Sequence, residues 1–241
     1  MAGVNIQLDL TNPATQTFGV ALHWTPQLSL QTLSLPVWTP GSYTVRDPSQ
    51  HLHSLSAIQG DRVLHLEQRS PERWEFTCHP GEPLCIRYRL EARQLTVRTN
   101  HLDPDFASLS LPAVVMLVEG ERWNEHRLQV SVPEHWSVAV PLPQDSIGSV
   151  FLAKDFDQLV DAPVHAGTFH PERLSVRGHD HQLILIGSPP SGWPARFKHD
   201  LEAVCTAVCD LVDSDPPAEQ DYQLVIQSLE EGYGGLEHDN A

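Results

Sequence analysis

Leu84-Cys85-Ile86-Arg87-Tyr88-Arg89-Leu90 carries a large apolar side chain at every second position and a smaller or charged one between. That period turns one face to a core and the other to water, the pattern of an antiparallel strand; a helix needs spacings of three and four. The same grammar runs outward in both directions. Upstream stand Trp74, Phe76 and Cys78, then Leu33, Leu35 and Val37, then Phe18, Val20, Leu22 and Trp24. Downstream follow Leu128, Val130 and Val132, then Trp136, Val138 and Val140. Pro40-Gly41, Gly60-Asp61, Pro80-Gly81 and Glu119-Gly120 punctuate the series as turns. About eight short strands with almost no helical period imply an antiparallel β-sandwich over residues 1–162.

From about Asp161 the pattern changes. Leu183-Ile184-Leu185-Ile186 and Leu224-Val225-Ile226 are unbroken apolar runs, as in strands covered on both faces. Between them Phe197, Leu201, Val204, Cys205, Val208, Leu211 and Val212 fall on one stripe of a helix over about 194–213, with Pro194 in its first turn and Pro216-Pro217 beyond its end. Strand, helix and strand make an α/β element, so residues 163–241 read as a second, incomplete domain. Nothing in that stretch covers its remaining faces, so the chain is expected to be the front part of a longer protein or to depend on another chain.

The 241 residues hold 15 basic and 31 acidic side chains, a net charge of −16. That balance excludes a nucleic-acid backbone or an anionic membrane as a natural partner. The longest apolar run, Ala113 to Val118, is far too short to span a bilayer. The N-terminus alternates like a strand rather than showing a signal peptide, and four cysteines are too few for a disulfide scaffold; a cytoplasmic protein with reduced thiols is expected. Cys78 and Cys85 flank His79-Pro80-Gly81-Glu82-Pro83 and could face each other across a hairpin, with two buried thiols favoured over a bridge.

Fourteen histidines invite a metal search, yet none is followed by glutamate, so no H-E-x-x-H helix lies within the chain. His179-Asp180-His181 reads as a solvated turn, Cys205 and Cys209 as core packing, and His51-Leu52-His53 and the histidines from His165 to His170 as strand residues mostly on the wet face. No G-x-S-x-G elbow, P-loop or G-x-G-x-x-G occurs. Neither catalytic nor metal-ligating residues are therefore expected within this chain. Two denser segments remain. Pro36-Val37-Trp38-Thr39-Pro40-Gly41-Ser42-Tyr43-Thr44-Val45-Arg46-Asp47 is a strand ending in a Pro-Gly turn, with Trp38, Tyr43 and Arg46 as candidate contributors to a site. In Tyr233-Gly234-Gly235-Leu236-Glu237-His238, paired glycines after a strand let another backbone approach, and the carboxylate two residues on can receive an ammonium group. Such a device would hold the free amino end of a peptide against a sheet edge.

Together these stretches resemble the glycyl aminopeptidase family of zinc metallopeptidases, of the gluzincin type, often followed by a PDZ domain. The similarity rests on Pro36 to Tyr43 with Arg46 and Asp47, on Phe151-Leu152-Ala153-Lys154-Asp155-Phe156-Asp157-Gln158-Leu159-Val160-Asp161-Ala162-Pro163 with Gly167 and Phe169, and on Gly234-Gly235-Leu236-Glu237-His238-Asp239-Asn240. The resemblance implies a β-sandwich leading into the opening sheet and helix of a thermolysin-like catalytic domain, cut off before its zinc helix. It implies an aminopeptidase that removes glycine or alanine from peptides, with zinc in the full-length parent and no cofactor in this chain. Gly234, Gly235, Leu236, Glu237 and His238 would bind substrate, Glu237 taking the α-amine. The expected partners are a peptide substrate and the rest of the catalytic domain, and the chain alone is expected to be inactive. The competing reading is a non-catalytic sandwich that binds peptides or another protein.

Overall fold

The computed structural model describes residues 3–38, 44–216, 222–231 and 233–241. Its strands, in chain order, begin with β1 (Val4–Asp9), β2 (Thr17–Trp24), β3 (Leu30–Ser34), β4 (Leu52–Gln59), β5 (Arg62–Leu64) and β6 (Glu67–Ser70). Next come β7 (Arg73–Thr77), β8 (Leu84–Glu91), β9 (His101–Leu102), β10 (Phe106–Leu109), β11 (Leu117–Val118) and β12 (His126–Ser131). After β13 (Ser137–Ala139) and β14 (Phe151–Ala153) stands a short helix α1 (Phe156–Asp161), then β15 (Val164–Gly167), β16 (Glu172–Val176) and β17 (His179–Ile186). A longer helix, α2 (Phe197–Val212), precedes β18 (Tyr222–Gln227).

The mainly β fold expected from the alternation is present. A seven-stranded sheet, β14-β12-β1-β2-β8-β4-β5, shares one core with two four-stranded sheets, β11-β3-β7-β6 and β13-β15-β10-β9. Phe18, Leu22, Ile86 and Leu90 expose no surface, and each such side chain contributes roughly 1.5–3 kcal/mol of transfer free energy. Two buried polar side chains show how such groups are satisfied there. The Tyr88 hydroxyl, fully buried, donates to the Val114 carbonyl at 2.8 Å and accepts from the Met116 N–H at 3.3 Å; burial pushes its pKa far up, so it stays a neutral donor. Gln59, likewise buried, clamps the β7–β8 connection: Nε2 donates to the carbonyls of His79 and Glu82, and Oε1 accepts from the His79 N–H.

Two departures follow from long-range pairing. The large sheet is antiparallel except where β1 lies parallel to β12, with Val4 opposite His126. Strands β7 and β8, though joined by the short turn at Pro80-Gly81, enter different sheets, β7 beside β3 and β8 beside β2. Cys78 and Cys85 therefore do not face each other across a hairpin; both thiols are free, Cys78 buried and Cys85 half-buried.

Beyond the sandwich, β16-β17-β18 form a three-stranded sheet. Arg177 and Gly178, both with positive φ (50° and 84°), link Val176 to His179 in a two-residue hairpin whose twist matches the strands. The expected solvated turn at His179-Asp180-His181 is instead the start of β17, with His181 buried, because residues 181–186 pair with β18 along their whole length. Strand β17 buries Leu183, Ile184 and Ile186, whereas Leu224, Val225 and Ile226 of β18 are only half-buried rather than covered on both faces.

Helix α2 begins at Phe197, after Pro194 rather than around it. Leu201, Cys205 and Cys209 carry its packing onto Leu174, Val176 and Leu183, while Val204, Val208, Leu211 and Val212 stand exposed. Only part of the expected stripe is therefore used, since one thin sheet can cover one narrow arc of a helix. No helix among the described residues is long and apolar enough to cross a membrane.

Candidate functional site

The seam between sandwich and α/β unit starts from one row across β13-β15-β10-β9. Ala139, His165, Ser108 and His101 are paired neighbours there and so share a face, which looks away from the sandwich core. Part of that face is apolar, Ala139 and Phe169 packing with Ile184 and Ile186. Gly167, opposite Phe106, has no room for a side chain: a Cβ there would lie 3.1 Å from the Phe106 Cβ and 3.2 Å from the Asp105 carbonyl. The rest of the row is polar. His101 Nε2 meets Asp103 at 2.9 Å, and His165 Nδ1 lies out of solvent without a hydrogen-bond partner. Burial, with the His238 ring nearby adding to it, pushes His165 down to about 4, so the His165 ring is neutral at pH 7. Of the two histidines expected mostly on a wet face, His170 is exposed, but His165 is not on a wet face, because the α/β unit covers its side of the sheet.

Helix α1 supplies the next group. Asp155 caps it, accepting from the Gln158 N–H at 2.8 Å, and the Gln158 side chain returns to the Lys154 N–H at 2.8 Å. Phe156 and Leu159 bury the helix on the sandwich, which leaves Asp161 at its C-terminal end. Asp161 faces the segment 233–241. Its Oδ1 accepts from His238 Nδ1 at 3.1 Å and its Oδ2 accepts from the Asp239 N–H at 2.9 Å. Burial draws the Asp161 carboxyl upward, but the His238 ring and the Asp239 N–H more than reverse this, so it lies below the ordinary carboxylate range.

The segment itself is held at several points. Gly234 lies against Val97 of the β8–β9 loop, where a Cβ would come within 3.4 Å of Val97 Cγ1. A Cβ at Gly235 would meet no heavy atom within 4 Å among the described residues. Glu237 is exposed, Leu236 and His238 half-buried, and the Asn240 carbonyl accepts from the Gln223 N–H at the start of β18. Tyr222, which no sequence signal marked, has its phenol pushed up by burial, with Cys205, Glu237 and Asp161 adding to the shift.

The second candidate group lies elsewhere in the chain. Trp38 is 53% exposed, and Arg46 donates its backbone N–H to the Val37 carbonyl. Tyr43 and the Pro40-Gly41 turn lie outside the described residues. His53 stands 3.5 Å from Glu91 at the surface. Among the described residues no group of three or more His, Cys, Asp or Glu side chains has the arrangement to hold a metal ion.

The chain thus joins a sandwich to a strand–helix–strand unit, with the Gly-Gly-Leu-Glu-His segment tied to the sandwich through Asp161. The chain belongs to the family described as the Peptidase M61 N-terminal domain, matched over residues 5–168. Among solved structures, it is similar to an aminopeptidase N family protein from Idiomarina loihiensis, at 28% identity and a TM-score of 0.89, covering 98% of this chain and 41% of that one. It also resembles an M1 zinc metallopeptidase from Deinococcus radiodurans, solved as a mutant bound to a Tyr-Ser-Ala substrate, at 11% identity and a TM-score of 0.54 over 95% of this chain and 57% of that one. The second likeness concerns the fold alone. No curated protein matches the sequence. The chain thus spans about two fifths of the length of the Idiomarina structure.

Proposed function

We propose that this chain is the N-terminal portion, residues 1–162 as a sandwich and 163–241 as the opening of a catalytic domain, of a zinc-dependent aminopeptidase of the glycyl type. The reaction is removal of a small N-terminal residue, glycine or alanine, from a peptide. The observation that carries the reading is the Gly234–His238 segment: it is held at its His238 end, yet it leaves Gly235 open and Glu237 in solvent. A peptide backbone can lie along Gly234-Gly235, and the Glu237 carboxylate can accept from its terminal ammonium group. The zinc of such an enzyme finds no set of three or more His, Cys, Asp or Glu ligands among the described residues, so this chain contributes recognition and orientation. The exposed face of α2, with Val204, Val208, Leu211 and Val212, suits the remainder of a catalytic domain as its cover. Four free thiols suit a reducing cytoplasm.

The test is to read the coding frame beyond Ala241 and express what it encodes. A downstream H-E-x-x-H and chelator-sensitive hydrolysis of glycyl and alanyl amides are expected; a stop codon, or indifference to a free amino terminus, overturns the reading. In that protein Glu237→Gln is expected to lower kcat/KM on free-amine substrates about 10- to 100-fold, through loss of one charge-assisted contact. Unchanged kinetics with intact folding would remove Glu237 from that role.

A further inference from the structure

We propose that Asp161 is the positioning residue of the Gly234–Glu237 segment: one carboxylate on the sandwich side of the seam grips the two residues that directly follow Glu237, and so sets where the Glu237 carboxylate stands. The grip uses both oxygens, Oδ1 for His238 Nδ1 and Oδ2 for the Asp239 N–H. A carboxylate only accepts, so the first contact requires a proton on His238 Nδ1. One contact is to a side chain and the other to the backbone, which fixes both the position and the direction of the chain leaving Glu237.

Asp161 is poorly placed for any local purpose. It ends α1, where the helix dipole disfavours a negative charge. The partners of its two oxygens lie 77 and 78 residues downstream, not within the helix. The ring of His238 is mostly out of solvent and lies close enough to His165 of β15 to influence its charge, as Asp161 and Glu237 each do to Tyr222 of β18. His165 is held neutral by burial, and its Nδ1 makes no hydrogen bond. On the other side of Glu237, Gly234 lies near Val97 of the sandwich, with room for a side chain between them. Asp161 thus holds the segment from the sandwich side through the residues that directly follow Glu237, so the placement of Glu237 is set by the neighbouring sandwich.

The inference rests on the amine-binding reading of Glu237 for its consequence, but not for its test, which is made on the 241-residue chain by NMR. In the unmodified chain, neutral His238 is expected as the Nδ1–H tautomer, against the Nε2–H preference of free histidine, with a slowly exchanging Asp239 amide. In Asp161→Ala the tautomer should revert to Nε2–H and the Asp239 amide should exchange about tenfold faster or more, while amides of the β2–β8 ladder keep their rates. Asp161→Asn, which retains one acceptor oxygen, should lose one contact and keep the other. An Nε2–H tautomer in the unmodified chain, or an unchanged Asp239 amide in Asp161→Ala, overturns the proposal, and the first needs no variant to fold. Titration with glycylglycine amide and its N-acetyl analogue separates the two readings. Weaker Glu237 responses in Asp161→Ala, by about threefold or more, support positioning, because a segment ordered in advance binds at lower cost. Equal responses to both peptides remove the amine-binding reading and leave the His238 and Asp239 readouts to decide on Asp161.

Discussion

The sandwich and the unit that follows it are built from similar side chains but hold together differently. The sandwich gathers residues from three sheets into one continuous core, with Leu22, Leu33, Ile86 and Leu109 drawn from strands far apart in the chain. The α/β unit has two small clusters, one of which borrows Ala139 from the sandwich, and α2 contains no buried residue at all. The first region closes on itself, whereas the second draws much of its burial from its neighbour. Apolar composition alone therefore does not measure cohesion; what counts is how many layers meet on it.

Substitutions sharpen this contrast in a definite order. Ile86→Ala is expected to cost about 2–5 kcal/mol in denaturant unfolding, since its cavity opens where no element is free to collapse. A loss under about 1 kcal/mol would mean that the sandwich core is looser than its burial implies. Next comes the seam. His165 titrates near 4 when folded and near 6.5 when unfolded, so the unfolded chain binds the extra proton between those values. Stability present above pH 6.5 should be lost as the pH falls toward 4, by about 3 kcal/mol in all, and His165→Leu should flatten that limb. An identical acid limb in the variant would place the linkage elsewhere. Tyr88→Phe should cost about 1–3 kcal/mol by stranding the Val114 carbonyl and the Met116 N–H inside the core, as read by the shift in melting temperature. Smallest of all, Leu211→Ser on the bare face of α2 should stay within about 0.5 kcal/mol in this chain. A larger effect would show that the face is covered after all.

Much of the sandwich was legible because alternation is a local signal: Leu84 to Leu90 and Phe18 to Trp24 bury just the positions their period selects. Partner choice is not local. Nothing within Val4–Asp9 names His126–Ser131 as its parallel neighbour, and the short connection after Cys78 looked like a hairpin because a turn says nothing about which sheet follows. Helix α2 was visible from its spacing, yet its packed arc runs through Leu201, Cys205 and Cys209, a choice made by the sheet beneath it. At the site, Gly234 to His238 could be read from residue types. Asp161 and His165 could not, since their importance comes from a fold that sets residues some 75 positions apart side by side. The Asp155-x-x-Gln158 cap of α1 was a usable signal, and it marks the helix that delivers Asp161.

The parallel pairing of β1 with β12 has a consequence for the chain as it is made. Val4 waits for His126, so one edge of β1 stays open until another 122 residues have been added. At synthesis rates of about 5–20 residues per second, that edge is exposed for roughly 6–24 s. Until β8 is made, β1 and β2 are only a two-stranded ribbon, marginal in water; β8, β4 and β5 then extend the β2 side while the β1 edge stays ready to pair with another strand. The last strand of the large sheet to arrive, β14, then completes the edge just before the helix that carries Asp161. Birth order thus makes the sandwich whole before the Gly-Gly-Leu-Glu-His segment exists, and the nascent segment meets a finished surface.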